Sequence, residues 1–303
     1  MPYHIPIMLD ACLDGLQIKP NGTYVDVTFG GGGHSKAILE RLGSEGKLLA
    51  FDQDPDAKIQ AKEISDKRFT FIEANFRHIT KYLRLYKALK VDGILADFGI
   101  SSHQIDDGTR GFSTRFDGPL DMRMNPKAEV SAKDIINTYS VEQLHKIFGQ
   151  YGEVKNAKTL ANGIVSARSN HSITSTIQLT KILEKFAPRG KEYKFFAQVF
   201  QAIRIEVNEE ILVIEEFLSQ VPELLNPEGR LAIMTFHSLE DRPVKNFIRS
   251  GKFYGEVEKD FFGNEIRPLK AINRKPIEAD EAEIAINSRS RSAKLRIAEL
   301  YQS

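Results

Sequence analysis

The chain has 303 residues, enough for a substantial apolar core in one large domain or in one domain that carries an insertion. Its 42 lysines and arginines against 41 acids leave a net charge of +1, which excludes a globally basic nucleic-acid binder and assigns any polyanion contact to local patches. The single cysteine, Cys12, excludes an intramolecular disulfide and the usual thiolate zinc site, and sits in an apolar stretch that suits an inert buried thiol. No long apolar span or basic leader occurs, so a soluble, cytoplasmic protein with no membrane association is expected.

Residues 24–28 are β-branched and aromatic and predict a strand, and residues 35–42 predict a helix. Between them lies Gly30-Gly31-Gly32-Gly33-His34-Ser35, a strand-to-helix turn whose glycines let the backbone approach a nucleotide-like ligand that side chains would exclude. A second strand, 47–51, ends in Asp52, about 20 residues past the glycines, where open α/β sheets place a carboxylate on ribose hydroxyls. A helix over 54–65, a strand over 69–72, a helix over 79–89 and an apolar strand over 91–97 continue the alternation. Residues 98–124, rich in glycine, serine, arginine and aspartate, predict a long functional loop. Helical segments follow at 132–137, 141–148, 156–168 and 175–186, with Ser131, Ser140 and Thr174 as caps.

A helix over 198–225 leads through Asn226-Pro227-Glu228-Gly229 to a strand over 230–236, then a helix near 243–248, an irregular polar stretch over 253–284 and a terminal strand over 293–300. The expected fold class is α/β, a doubly wound sheet built from residues 1–105 and 198–303, with an all-helical domain inserted over 106–197 as the expected site of RNA recognition.

A glycine turn followed by an acid serves dehydrogenases and methyltransferases alike, and Gly30, Gly32 and Ser35 approximate the dinucleotide fingerprint. Asp97-Phe98-Gly99-Ile100-Ser101-Ser102, at the end of the fourth strand, adds a carboxylate, a ring, a close-approach glycine and hydroxyls, which suit amine alkylation. The same Asp97-Phe98-Gly99 mimics a kinase magnesium motif, but no accompanying kinase signature occurs, so that reading is rejected. Arg110, Phe112, Arg115, Phe116 and Arg123 suit a pocket that stacks an unpaired base and grips phosphates, or else form a salt-bridged loop. His237 either orients substrate or bonds a backbone carbonyl, and Arg289, Arg291, Lys294 and Arg296 either contact phosphates or are solvated. No metal-ligand cluster is evident.

Over nearly its full length the chain resembles the bacterial 16S ribosomal-RNA cytosine-N4 methyltransferases, which use S-adenosylmethionine. The resemblance is carried by His4-Ile5-Pro6, Thr28 through Ser35, Asp52-Gln53-Asp54-Pro55, Asp97 through Gln104, Arg110-Gly111-Phe112-Ser113, Asp117 through Met124, Phe200 through Arg204, Phe236 through Arg242 and Ser290 through Arg296. It implies cofactor contacts from Gly32, Gly33 and His34 at the turn, Asp52 at the ribose, Phe76 beside the adenine, and Asp97 and Gln104 near the methionine end. Taken alone, His34 serves equally as a helix cap and Phe76 as core. The chain departs from the family at Ala11, where members often have Glu, at Phe196-Ala197-Gln198-Val199, where many show Pro-Ala-Thr-Arg, and at Asn287-Ser288-Arg289, which lacks a common proline.

The function expected is methylation of a cytidine N4 in small-subunit ribosomal RNA, with Asp97 as acceptor for the amine and Ser101 or Ser102 orienting the base. A nicotinamide dehydrogenase and a non-catalytic RNA-binding assembly factor are the alternatives.

Overall fold

The computed structural model describes residues 6–263 and 265–301, so His4 and Ile5 of the first quoted block lie outside the described residues. The chain divides into two compact units, residues 1–99 with 211–303 and residues 100–210.

The first unit holds a sheet of eight strands. Strands β1 (Thr23–Asp26), β2 (Lys47–Asp52), β3 (Phe69–Glu73), β4 (Val91–Asp97) and β5 (Leu225–Thr235) run parallel in the order β3-β2-β1-β4-β5. A short pair, β6 (Glu258–Lys259) and β7 (Glu265–Ile266), stands apart. Strands β8 (Leu269–Ala271), β9 (Ile277–Glu278) and β10 (Lys294–Leu300) complete the sheet, with β10 antiparallel to β5, β8 and β9. The order reverses between β1 and β4, and at such a switch point the loops beyond the carboxyl ends part and leave a crevice for ligand. Asp26, Asp52 and Asp97 are the last residues of β1, β2 and β4 and so share that edge.

Helices α1 (Leu9–Leu16), α2 (Gly33–Arg41), α3 (Pro55–Ala61), α4 (Ile79–Leu85), α11 (Glu210–Leu224) and α12 (Ser238–Ser250) flank the sheet, and α13 (Glu281–Ile286) lies in the stretch expected to be irregular. Val25, Phe51, Ile94, Phe217 and Leu231 pack on one side of the sheet, and Cys12, Leu13, Ile38, Leu48 and Leu295 on the other. Helix α1 was not expected. No side chain caps it, and packing holds it: a Cβ on Gly15 would lie 2.5 Å from Ile297 Cδ1, so the glycine lets α1 lie close beneath β10. The expected turn at Asn226–Gly229 lies inside β5 as a register shift opposite β4, with Glu228 at φ +60°.

The second unit contains α5 (Ser102–Asp106), α6 (Ala132–Thr138), α7 (Val141–Gln150), α8 (Ala157–Arg168), α9 (Thr176–Leu183) and α10 (Glu192–Val207). Ser131, Ser140 and Ser175 close capping boxes with Asp134, Gln143 and Gln178, so Ser175 rather than Thr174 starts α9. Phe148, Leu160, Leu179, Phe195 and Ile203 fill this unit's own core.

Its borders fall further out than residues 106–197 because the helix expected over 198–225 is two helices. Glu209 adopts φ +50°, and the Asn208 side chain donates to the carbonyls of Met122 and Arg204 and accepts from the Met124 N–H, which turns the chain between α10 and α11. Among the described residues no helix is long and apolar enough to cross a membrane.

Candidate active site

The glycine turn is built from its own backbone. Phe29 N–H donates to the Phe51 carbonyl at 2.8 Å, and Gly32 N–H returns to the Phe29 carbonyl at 2.7 Å. Gly32 caps α2 at φ +76°, and a Cβ there would meet Phe29 Cζ at 2.6 Å, so both the backbone conformation and the Phe29 ring require glycine. Asp52 ties this turn to β2 by accepting from Gly30 N–H (2.8 Å) and Asp54 N–H (2.9 Å). Burial pushes its carboxyl up to about 6, against the pull of those two N–H groups. His34 stands in the first turn of α2. Its Nε2 lies 3.1 Å from the Ile7 carbonyl oxygen, and the ring is buried.

Beyond β1 and β4 the dominant feature is a group of buried carboxyls. Asp26, 1% exposed, accepts from Ser35 Oγ at 2.7 Å and Thr28 N–H at 3.1 Å, while Asp97 N–H donates to Thr28 Oγ1 at 2.7 Å. Thr28 therefore links the ends of the two strands. Fully buried Glu240, in the first turn of α12, accepts from Phe236 N–H at 2.7 Å through Oε2, and its Oε1 lies 2.9 Å from His237 Nε2. Among the described residues nothing donates to the buried Oδ1 of Asp97. Burial raises its carboxyl to about 8, and the nearby Asp26 and Glu240 carboxylates add to the rise. A group in this state favours an arriving cation or hydrogen-bond donor, which would relieve both the desolvation and the repulsion.

Phe76, partly buried in the 3-10 turn Phe76–His78, stacks on Phe98 at 5.6 Å and meets Phe217 edge-on at 5.4 Å, a ring wall beyond β3 and β4.

In the second unit Ser101 and Gln104 form a capping box: Ser101 Oγ accepts from Gln104 N–H and Gln104 Oε1 from Ser101 N–H. Gln104 is buried there, and Ser102 opens α5. Arg110 donates to the carbonyls of Arg123 and Met124 and lies over the Phe112 ring, which is buried in this unit's core. Arg123 grips Asp121 through two nitrogens and donates to the Ala128 carbonyl. For Arg110, Phe112 and Arg123 the geometry is that of the salt-bridged loop rather than an open phosphate grip, whereas Arg115 is exposed. In the first unit Arg291 is also exposed, but Arg296 is buried in a two-nitrogen pair with Asp241 at 2.7 and 3.0 Å and faces no solvent phosphate.

Sequence reasoning missed Asp26, Thr28 and Glu240. The available signal was an acid ending an apolar strand at Asp26, but only folding brings Asp26 and Glu240 near Asp97.

The order β3-β2-β1-β4-β5, the glycine turn after β1, the acid ending β2 and the unsupported carboxyl ending β4 define an α/β enzyme of the nucleotide-cofactor class with a methyltransferase type of site. The MraW methylase family matches residues 1–301, and the chain belongs to that family. It is 56% identical to the ribosomal RNA small subunit methyltransferase H of Cytophaga hutchinsonii over 98% of this chain and 99% of the relative, and 55% identical to the protein of that name from Christiangramia forsetii over 98% of each. A solved structure described as a putative rRNA-methylase from Clostridium thermocellum is similar at a TM-score of 0.46 and 14% identity, over 98% of this chain and 100% of that one. The chain is a methyltransferase, and the dehydrogenase alternative is set aside.

Proposed function

We propose that the protein methylates the exocyclic N4 of a cytidine in 16S ribosomal RNA, within the small ribosomal subunit and in the cytoplasm, using S-adenosylmethionine. The observation that carries this reading is the buried, unpartnered Oδ1 of Asp97 at the end of β4. The cofactor supplies a methyl group made electrophilic by its positively charged sulfur. The residues present fit such a molecule: Gly32 and Gly33 leave the turn without side chains, Asp52 offers a carboxylate to ribose hydroxyls, Phe76 offers a ring face for adenine, and Asp97 answers the cationic methionine end. Gln104 and His34 join them on the family pattern.

The cytosine amine is conjugated with its ring and is a poor nucleophile, so orientation and hydrogen bonding must supply much of the acceleration. Once a cation lowers its pKa, the Asp97 carboxylate accepts an amine N–H, which raises electron density on N4 and holds the nitrogen in line. As N4 bonds to the methyl carbon, the carbon–sulfur bond of a bound cofactor would break with its electron pair left on sulfur as a neutral thioether, and the proton that N4 gives up would pass to Asp97. Ser101 and Ser102, the next hydroxyls along the chain, orient the base, while the insertion, including exposed Arg115, contacts RNA. Tritiated methyl transfer to hypomethylated small subunits, followed by nucleoside analysis, tests this reading. Label in N4-methylcytidine is expected, and label in another nucleoside or none at all contradicts it.

A further inference from the structure

The chain as a whole is nearly neutral, yet one segment is not. From Ala74 to Val91 there is no acid, while Arg77, Lys81, Arg84, Lys87 and Lys90 recur at three- and four-residue intervals, with His78 beside them. Elsewhere α2, α7 and α12 mix acids with bases, the usual composition of a solvated face. Arg77, Lys81 and Arg84 follow the i, i+4, i+7 spacing and so share one face of the turn and helix at Phe76–Leu85, a row about 10 Å long at 1.5 Å per residue.

This row lines an open depression of about 780 Å³ between α4 and α11, completed by Thr80, Glu216 and Gln220. The acid in it is already matched, since Arg77 Nε meets Glu216 Oε2 at 2.6 Å. Gln220 pins the start of α4, donating to the Arg77 carbonyl and accepting from Thr80 N–H, so the basic row stands on a fixed backbone. Lys81, Arg84, Lys87 and Lys90 are exposed, and beside them Leu85 is 68% and Tyr86 46% exposed, an apolar edge next to positive charge. The row begins next to Phe76, at the carboxyl edge of the sheet, and runs away from the site along α4.

We propose that this face of α4 and α11 is a docking surface for the phosphate backbone of the RNA substrate, with Lys81 and Arg84 as phosphate contacts and Lys87, just past the end of α4, extending the positive charge. Exposed cations at helical spacing on a fixed backbone, in a segment without acids, match a polyanion. The proposal rests on the ribosomal-RNA reading above. It differs from the sequence expectation, which placed RNA contacts in the loop around Arg110–Arg123.

The test compares the wild type with a Lys81→Ala/Arg84→Ala/Lys87→Ala variant and a control, Lys47→Ala/Lys62→Ala/Lys67→Ala, which removes the same charge from other exposed positions of the first unit. Binding to protein-free 16S rRNA is measured from low to moderate salt, together with S-adenosylmethionine affinity. The expected result for the α4 variant is binding weakened on the order of tenfold, a plot of log K against log salt shallower by about two, and unchanged cofactor affinity. The control keeps the wild-type slope. A wild-type slope in the α4 variant, or an equal fall in the control, overturns the proposal. Loss confined to intact subunits, with naked RNA unaffected, also overturns it and indicates a ribosomal protein as the partner. A wild type that methylates subunits while the α4 variant binds normally removes this surface and leaves the enzymatic reading intact; a wild type that neither binds rRNA nor methylates it removes both.

Discussion

Asp97→Asn separates the electrostatic argument from the chemical one. With a pKa of about 8, the Asp97 carboxyl of the cofactor-free protein is about ten-to-one protonated at pH 7. Bringing the positively charged methionine end of S-adenosylmethionine to it must expel that proton, so about 0.9 proton should be released per cofactor bound at pH 7. Affinity should rise by up to about tenfold per pH unit between 7 and 8 and level off above. Asp52, at about 6, is largely ionised over that interval and contributes little. Calorimetric titrations at pH 7 in two buffers of different ionisation enthalpy report the proton count directly. In Asp97→Asn the release should vanish and the affinity profile over pH 7 to 8 should flatten.

The same shift fixes a stability signature. The folded protein holds this proton where the unfolded chain has lost it, so the group's contribution is most favourable below about pH 4 and is lost as pH rises to about 8. At about 1.36 kcal/mol per unit the loss is at most about 6 kcal/mol, reduced because the residue keeps some water contact. Ligand-free Asp97→Asn should therefore melt above the wild type at pH 8 and close to it at pH 4. Proton release equal in the two proteins, or none in the wild type, refutes the reasoning.

Other substitutions address separate parts of the account. Asp52→Ala removes the carboxylate offered to ribose and releases the N–H groups of Gly30 and Asp54, so cofactor binding should weaken by about 1–3 kcal/mol; an unchanged dissociation constant would assign Asp52 to the turn alone. Gly32→Val places a branched side chain at φ +76° against the Phe29 ring, and melting of the ligand-free protein should show a cost of at least about 1–3 kcal/mol; an unshifted melting temperature with lost binding would mean that the ligand alone needs the space. Arg296→Met strands the carboxylate of Asp241 and should cost about 3–5 kcal/mol in urea unfolding, with part recovered in Arg296→Met/Asp241→Leu; a loss below about 1 kcal/mol would show that the pair is effectively solvated.

What could be read from the sequence was what local chemistry determines. The turn from β1 into α2 needs its glycines within a few residues, and Asp52 and Asp97 end strands whose apolar runs mark them, so these positions followed from the sequence pattern. The break at Asn208 did not, because the apolar period runs unbroken from Phe195 through Phe217 and only the Asn208 bonds to Met122, Arg204 and Met124 turn the chain. Helix α1 carries no side-chain cap and depends on Gly15 fitting under Ile297, a contact between distant segments. The cluster of Asp26, Asp97 and Glu240 is likewise a product of topology: β1, β4 and α12 are far apart in sequence, and the sheet order brings their ends together. The arginines at 110 and 123 suit RNA ligands by composition, and only the fold shows that each also donates to carbonyls of its own loop.

If the Asp97 carboxylate accepts the cytosine amine during transfer, its replacement slows the chemical step itself. The direct measurement is the single-turnover rate of methyl transfer to hypomethylated small subunits, with Asp97→Asn and wild type each saturated with S-adenosylmethionine so that cofactor affinity drops out. An amide is a weaker acceptor and can present a donor to the amine, so the account predicts a rate lower by a factor on the order of 10² to 10³, with RNA affinity little changed. A wild-type rate under those conditions would contradict it and shift the acceptor role to a backbone carbonyl or to Ser101.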